Sequence, residues 1–234
     1  MVVKVYYWPF LGRGGAIIRM LAEANVEYEH VSDMSEMSKV CAVFGADGEG
    51  VGTLAPPVVV DDGDNNNNNM TISQSIAANM YIGTKYGFPA QDDFKAIQFM
   101  DDIKDLFENG IGKMNEDGQK LKTYLEGDDS SSSTKPSRFA IFASCLERNV
   151  KGPYFFGDKL SYVDFYFANL YAMYYGTTLS KLEVKTNVDV FGPYPKLKNI
   201  AEKIMNLNSA KTIKVPTHLE RFEIKDDIVE SYMK

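Results

Sequence analysis

Met70-Thr71-Ile72-Ser73-Gln74-Ser75-Ile76 reads as a short β-strand running straight into a helix that begins Ser75-Ile76-Ala77-Ala78. Gln74 and Ser75 therefore stand at the junction. The first turn of a helix leaves backbone N–H groups unpaired and carries the positive end of the dipole, so it attracts a carboxylate. A polar pair in that place is either a helix cap or the cradle of an anionic small molecule. The flanking sequence bears on the choice.

Upstream, Val2-Val3-Lys4-Val5-Tyr6-Tyr7 is a β-branched and aromatic run suited to a first strand. It ends at Trp8-Pro9-Phe10-Leu11-Gly12-Arg13-Gly14-Gly15, after which Ile17, Ile18, Leu21 and Ala24 recur at helical spacing. Tyr28 to Val31 predicts a second strand, and Ala55-Pro56-Pro57-Val58-Val59-Val60 a third, with two prolines before it where a cis X–Pro bond is plausible. The order is strand, helix, strand, proline, strand, turn, strand, helix. That is a βαβ unit joined to a ββα unit, the layout of a thioredoxin-like domain with a mixed four-stranded sheet.

Together these segments resemble a cytosolic glutathione transferase of a class that uses a tyrosine, nearest to the sigma, mu or pi groups. Tyr7-Trp8-Pro9-Phe10-Leu11-Gly12-Arg13 resembles the end of the first strand, Pro57 the cis-proline before the third strand, and Gln74-Ser75 the pair that binds the γ-glutamyl group. Gly157-Asp158-Lys159-Leu160-Ser161-Tyr162-Val163-Asp164 resembles the Gly-Asp-x-x-Ser-x-x-Asp signature of the helical domain. The resemblance covers roughly residues 1–210. It implies a thioredoxin-like glutathione-binding domain over 1–83 and an all-helical domain over 91–234, an α/β plus all-α chain.

Bulk properties agree. A chain of 234 residues with 44% hydrophobic and 24% charged residues suits a globular protein of two modest domains, or of one domain and a half. No run approaches the roughly 20 apolar residues that cross a bilayer, and no signal segment is evident, so a cytoplasmic protein is expected. Two isolated cysteines and two histidines make a disulfide framework, a metal site or a Ser-His mechanism poorly supplied. A net charge of −7, without a basic cluster, argues against nucleic acid.

Two low-complexity patches read as solvent loops: Asn65 to Asn69, between the third and fourth strands, and Asp128 to Ser133. The domain linker is placed at Gly83 to Ala90. Beyond Gln91 the pattern is helical: Ala96, Phe99, Met100, Ile103, Leu106 and Phe107 share a face of one long helix, and a second is expected over Pro136 to Asn149. A third runs from Ser161 to Tyr175, with Ser161 as N-cap, Asp164 as the acid of a capping box and Leu160 and Phe165 as a staple. Ser161 and Asp164 are read as structural.

The chemistry the resemblance implies begins with the thiol of glutathione as co-substrate, which attacks electrophiles only when ionised. A neutral phenol that donates a hydrogen bond to the sulfur favours the anion. Counting back six residues from Arg13 in the family pattern selects Tyr7 for this task over Tyr6; adjacent strand residues face opposite ways, so only one enters the site. Arg13 is implied to bind glutathione or support the thiolate. The residue before the cis-proline holds the cysteinyl unit through its backbone; if Pro57 is cis, Pro56 can only accept, and if Pro56 is cis, Ala55 takes its place. Lys39 is the one lysine between Ser32 and Thr53, a candidate for the glycyl carboxylate or a solvent-facing charge. Asp101 corresponds to an acid that reaches glutathione on a neighbouring subunit, or is an exposed helix carboxylate; the first reading implies a homodimer. Trp8, Phe10 and Leu11 would line the electrophile pocket, with the tail from Lys211 to Lys234 a possible cover. Small apolar electrophiles are the expected substrates. A glutathione-dependent isomerase and a non-enzymatic, crystallin-like or assembly module are the other readings of the same scaffold. No metal is implied.

Overall fold

A computed structural model describes residues 2–45, 52–62, 69–127 and 136–234. The first lobe is built from β1 (Val3–Tyr6), α1 (Gly15–Glu23), β2 (Tyr28–Val31), α2 (Met34–Val40), β3 (Val58–Asp61), β4 (Met70–Ser73) and α3 (Ser75–Lys85). The strands form one mixed sheet in the order β2-β1-β3-β4, with β1 parallel to β2 and antiparallel to β3, and β3 antiparallel to β4. This is the thioredoxin-like arrangement expected from the sequence.

Strand alternation divides the residues between two cores. Val3, Val5 and Val59 point to the face covered by α1 and α3, where they merge with the main core. Tyr6, Val31 and Val58 point to the other face and close with Met37 and Cys41 under α2. Asp33 caps α2, its carboxylate accepting from the Ser35 and Glu36 amides. The lone pairs of Asp61, fully buried, accept from Tyr81, Lys85 and Tyr86 and tie the far end of β3 to α3.

The second lobe is helical: α4 (Asp93–Lys104), a π-helical stretch Asp105–Ile111, α5 (Gly112–Met114), α6 (Gly118–Glu126), α7 (Arg138–Asn149), α8 (Tyr162–Tyr174), a second π-helical stretch Tyr175–Leu179, α9 (Ser180–Thr186), α10 (Pro195–Met205) and α11 (Asp226–Tyr232). The single long helix expected beyond Gln91 is thus broken by a π segment, because buried Leu106, Phe107, Gly110 and Ile111 keep a spacing that a π turn satisfies as well as an α turn does. The helix expected from Pro136 starts at Arg138, capped by Ser137 through the Ala140 amide. The connector after α3 packs on the helical lobe: the Phe88 carbonyl accepts from the Tyr162 amide and its ring lies against Phe165. Residues 63–68 and 128–133, which include most of the asparagine run and the Asp-Ser patch, lie outside the described residues.

α8 is the central helix, buried along its length from Tyr162 to Tyr171. Its capping box forms as the sequence predicts, with the Ser161 amide and hydroxyl both donating to Asp164 and a third bond arriving from the Phe155 amide. Burial pushes the Asp164 carboxyl up to about 6 in spite of these three bonds, which pull it down. Further along α8, Asn169 joins the lobes: its side chain donates to the Gly12 carbonyl at 2.6 Å and accepts from Nε of buried Arg19 on α1.

Candidate functional site: a cleft between the two lobes

The sheet register gathers one set of candidate residues at a single edge. Val58 pairs with Tyr6 on one side and with Ser73 on the other. The next residues out, Tyr7 after β1, Pro57 before β3 and Gln74 after β4, therefore share one end of the sheet. The Pro56–Pro57 bond is cis. Gln74 adopts φ +73 at the turn from β4 into α3, and Ser75 follows as the first, buried residue of the helix. A left-handed glutamine is uncommon, and such backbone outliers concentrate at ligand-contacting turns.

Tyr7 is 5% exposed and sits on the side of the sheet opposite Tyr6. Its hydroxyl oxygen accepts from the Arg13 amide at 2.9 Å. No protein acceptor is found for its own hydrogen among the described residues, so the phenol is free to donate into the cleft. Burial raises its pKa, against the Arg13 backbone bond that lowers it, and the phenol is neutral at physiological pH. Two glycines clasp the ring. A Cβ at Gly12, where φ is +42, would lie 2.6 Å from the phenol carbon Cε1, and one at Gly14 would lie 2.9 Å from Cγ. Only glycine lets the loop close over Tyr7.

Arg13 stands in a 3-10 turn, Gly12–Gly14, just ahead of α1 rather than within it. Its Nε is 3.2 Å from Glu108 in the first π segment, so the side chain spans the lobes. Burial pushes the Glu108 carboxyl up, partly offset by the Arg13 charge.

Between the lobes lies a cleft of about 900 Å³. Tyr7, Phe10, Arg13, Glu108, Met173 and Tyr174 form its inner wall. The outer wall is the C-terminal chain, with His218, Phe222 and Ile224 facing inward. The cover suggested for the tail is thus in place. The Leu11 and Gly12 amides donate to the Pro216 and Thr217 carbonyls at 2.7 and 3.3 Å, and Phe222 packs on Phe10 with ring centres 5.2 Å apart.

Several sequence candidates lie elsewhere. Trp8 does not line the cleft; strand alternation turns it to the α2 side, where it meets Phe44 edge-on. Leu11 is buried in the main core and lies behind the wall. Lys39 is exposed on α2, its ammonium 2.6 Å from Glu36, which raises its pKa. Asp101 is exposed on α4. Sequence reasoning did not single out Glu108 or Asn169, and it left His218 and Phe222 unplaced. Glu108 carried one usable signal, a carboxylate directly after Phe107 within the apolar stripe that runs on to Ile111.

Residues 104–212 match the family model of the glutathione S-transferase C-terminal domain. The fold is that of the glutathione transferases. A Nu-class transferase from Haemonchus contortus superposes with a TM-score of 0.62 at 20% identity, covering 94% of this chain and 98% of its own. A prostaglandin synthase D from Nilaparvata lugens gives 0.59 at 22% identity, covering 92% and 100%. A glutathione transferase family member from Pseudomonas fluorescens, solved with two glutathione molecules bound, gives 0.59 at 18% identity, covering 90% and 91%. Among curated proteins no sequence matches the chain. No helix of the described residues is long and apolar enough to cross a membrane, and no group of three or more His, Cys, Asp or Glu side chains among them is placed to hold a metal ion.

Proposed function

We propose that this chain is a glutathione transferase that activates the thiol with Tyr7 and adds it to electrophiles held between Phe10 and the C-terminal strap. The observation that carries this is the Tyr7 hydroxyl: fixed through its oxygen by the Arg13 amide, buried, and with no acceptor for its hydrogen among the described residues. Such a donor favours a sulfur anion over the thiol, and the low-water setting beside Phe10 strengthens the bond.

The tripeptide is assigned to the sheet edge. Ser75 and the first amides of α3, with Gln74, would receive the γ-glutamyl carboxylate. The Pro56 carbonyl would accept from the cysteinyl amide; proline has no N–H to return. Arg13, engaged by Glu108, supports negative charge near the sulfur. Lys39 is assigned to the glycyl carboxylate, which requires it to leave Glu36, an exposed pair worth little. Asp101 is assigned to the amino group of glutathione bound by a neighbouring subunit, which makes the active form a homodimer. We assign the glutathione half to residues 1–83 and the electrophile half to 91–234. Cys41 and Cys145 are free thiols, in keeping with a cytosolic setting.

Retention on immobilised glutathione and turnover of a generic aryl chloride test the reading together. Binding with turnover supports it. Failure to bind glutathione removes it and favours a structural role for the scaffold.

A further inference from the structure

Arg19 is buried in α1, 4% exposed, and no carboxylate among the described residues forms an ion pair with it. Burial lowers its pKa to about 10, so it stays charged at neutral pH. A buried cation ordinarily has a counter-ion. Here the guanidinium Nε donates instead to Asn169 Oδ1 at 3.3 Å, and Nδ2 of the same side chain donates to the Gly12 carbonyl at 2.6 Å. These partners fix the orientation of the amide, since a guanidinium only donates and a carbonyl only accepts. Gly15 leaves room for it: a Cβ there would overlap Asn169 Oδ1. The Gly12 carbonyl belongs to the Gly12–Arg13 peptide group, and the N–H of that group is the one that donates to the Tyr7 hydroxyl at 2.9 Å. A single row of hydrogen bonds therefore runs from a buried cation, through a side-chain amide and a backbone amide, to the phenol oxygen. Every link points the same way.

We propose that Arg19 and Asn169 are positioning residues of the thiol site, forming a hydrogen-bond relay that polarises the Tyr7 hydroxyl and strengthens its bond to the glutathione sulfur. The proposal rests on the transferase reading given above. An amide that accepts a hydrogen bond at its oxygen becomes a better donor at its nitrogen, because electron density drawn toward the oxygen leaves the N–H more positive. In a low-dielectric interior, bonds in such a row strengthen one another by about 10–30% each. The first donor is a full charge, and Asn169 and the Gly12–Arg13 peptide pass its effect on in turn. A phenol whose oxygen accepts from the polarised Arg13 amide donates more strongly through its own hydrogen, which favours the sulfur anion over the thiol. No proton moves along the row. Arg19 does not line the cleft, so its charge reaches the sulfur through Tyr7 and not by contact. Asn169 stands on α8, which makes full activation of Tyr7 depend on the docking of the helical lobe.

The test titrates the thiol of bound glutathione by ultraviolet absorbance in the parent, Arg19→Met, Asn169→Asp, Tyr7→Phe and the double variant Arg19→Met with Tyr7→Phe. Arg19→Met removes the charge and leaves the Asn169–Gly12 bond in place; it exchanges a buried cation for an apolar chain, so it should fold. Its thiol should titrate above the parent's by about 10–30% of the rise seen in Tyr7→Phe. Asn169→Asp still meets Arg19 but turns a carboxylate oxygen to the Gly12 carbonyl, and its thiol should titrate higher than that of Arg19→Met. In the double variant Arg19→Met should add nothing to Tyr7→Phe, because the relay ends at the hydroxyl that is gone. A thiol in Arg19→Met that titrates as in the parent reduces Asn169 to a strut and overturns the relay. An equal rise from Arg19→Met with and without the Tyr7 hydroxyl overturns it too, since the charge would then act on the sulfur directly. Both results leave the transferase reading standing. A parent that fails to bind glutathione, or whose bound thiol titrates as it does free in solution, removes that reading and this proposal with it. Should Arg19→Met fail to fold by circular dichroism, Asn169→Asp carries the test, and an unchanged thiol there overturns the proposal.

Discussion

Replacing Tyr7 by phenylalanine removes one oxygen and separates two of its tasks. The first is structural. The Arg13 amide loses its 2.9 Å acceptor at a partly buried site, a loss worth about 1 kcal/mol, so the variant should fold. The second is chemical. A hydrogen bond to a charged group contributes about 1.5–3 kcal/mol, and one pKa unit corresponds to about 1.4 kcal/mol. The thiol of bound glutathione should therefore titrate about one to two units higher in Tyr7→Phe than in the parent. At neutral pH the rate with an aryl chloride should fall about 10- to 150-fold, since each 1.4 kcal/mol is tenfold. Affinity for glutathione should change little, because the proposed contacts at Gln74, Ser75 and Pro56 are untouched. Ultraviolet titration of the bound thiol and steady-state kinetics read the two effects separately. A variant with the parent's rate and the parent's thiol titration would refute the assignment, whatever else the protein does.

Gly12→Ala should lower kcat at least tenfold: at φ +42 the new side chain is strained by about 1 kcal/mol, and its Cβ meets the phenol ring at 2.6 Å, displacing the hydroxyl; kinetics at saturating glutathione check this. Asp164→Asn turns an amide NH2 toward a buried N–H that now finds a carboxylate oxygen, either Phe155 or Ser161. The cost should be about 1–3 kcal/mol, read as a lowered urea midpoint with little change in activity per folded molecule. Stability should also fall at alkaline pH. Burial holds Tyr7, Tyr162, Tyr166, Tyr171 and Tyr174 above their ordinary value of 10 in the folded chain. Above that pH the unfolded chain loses protons that the fold retains, so unfolding becomes easier as pH rises. Urea midpoints at pH 8 and 10.5 decide it; a midpoint unchanged or higher at 10.5 contradicts the burial argument.

The first lobe was legible because each of its elements is short and locally encoded. The run Val2 to Tyr7 alternates into two cores, Val58-Val59-Val60 follows two prolines, and Met70 to Ser73 ends in a turn that hands the chain to α3. The capping box of α8 was legible for the same reason, since its donors and acceptor are three residues apart. What was not legible depends on distant partners. The π segment at Asp105–Ile111 keeps the apolar spacing of an ordinary helix, so its break leaves no mark in the pattern. Arg13 meets Glu108 across 95 positions of chain, and Asn169 reaches Gly12 across 157. The resemblance assigns Trp8 and Leu11 to the electrophile pocket as members of the first loop, but alternation and core packing turn their side chains away. His218 and Phe222 belong to a tail of mixed charge with no periodicity, and only tertiary docking brings them to Phe10 and Gly176.

The ties at Pro216 and Thr217 use carbonyl oxygens alone, a currency every amino acid carries, proline included. Grip and selectivity are thereby uncoupled along the tail. Side chains two to eight residues further on can be exchanged to admit other molecules while the anchorage persists, which makes this stretch a natural place to redesign what the cleft accepts.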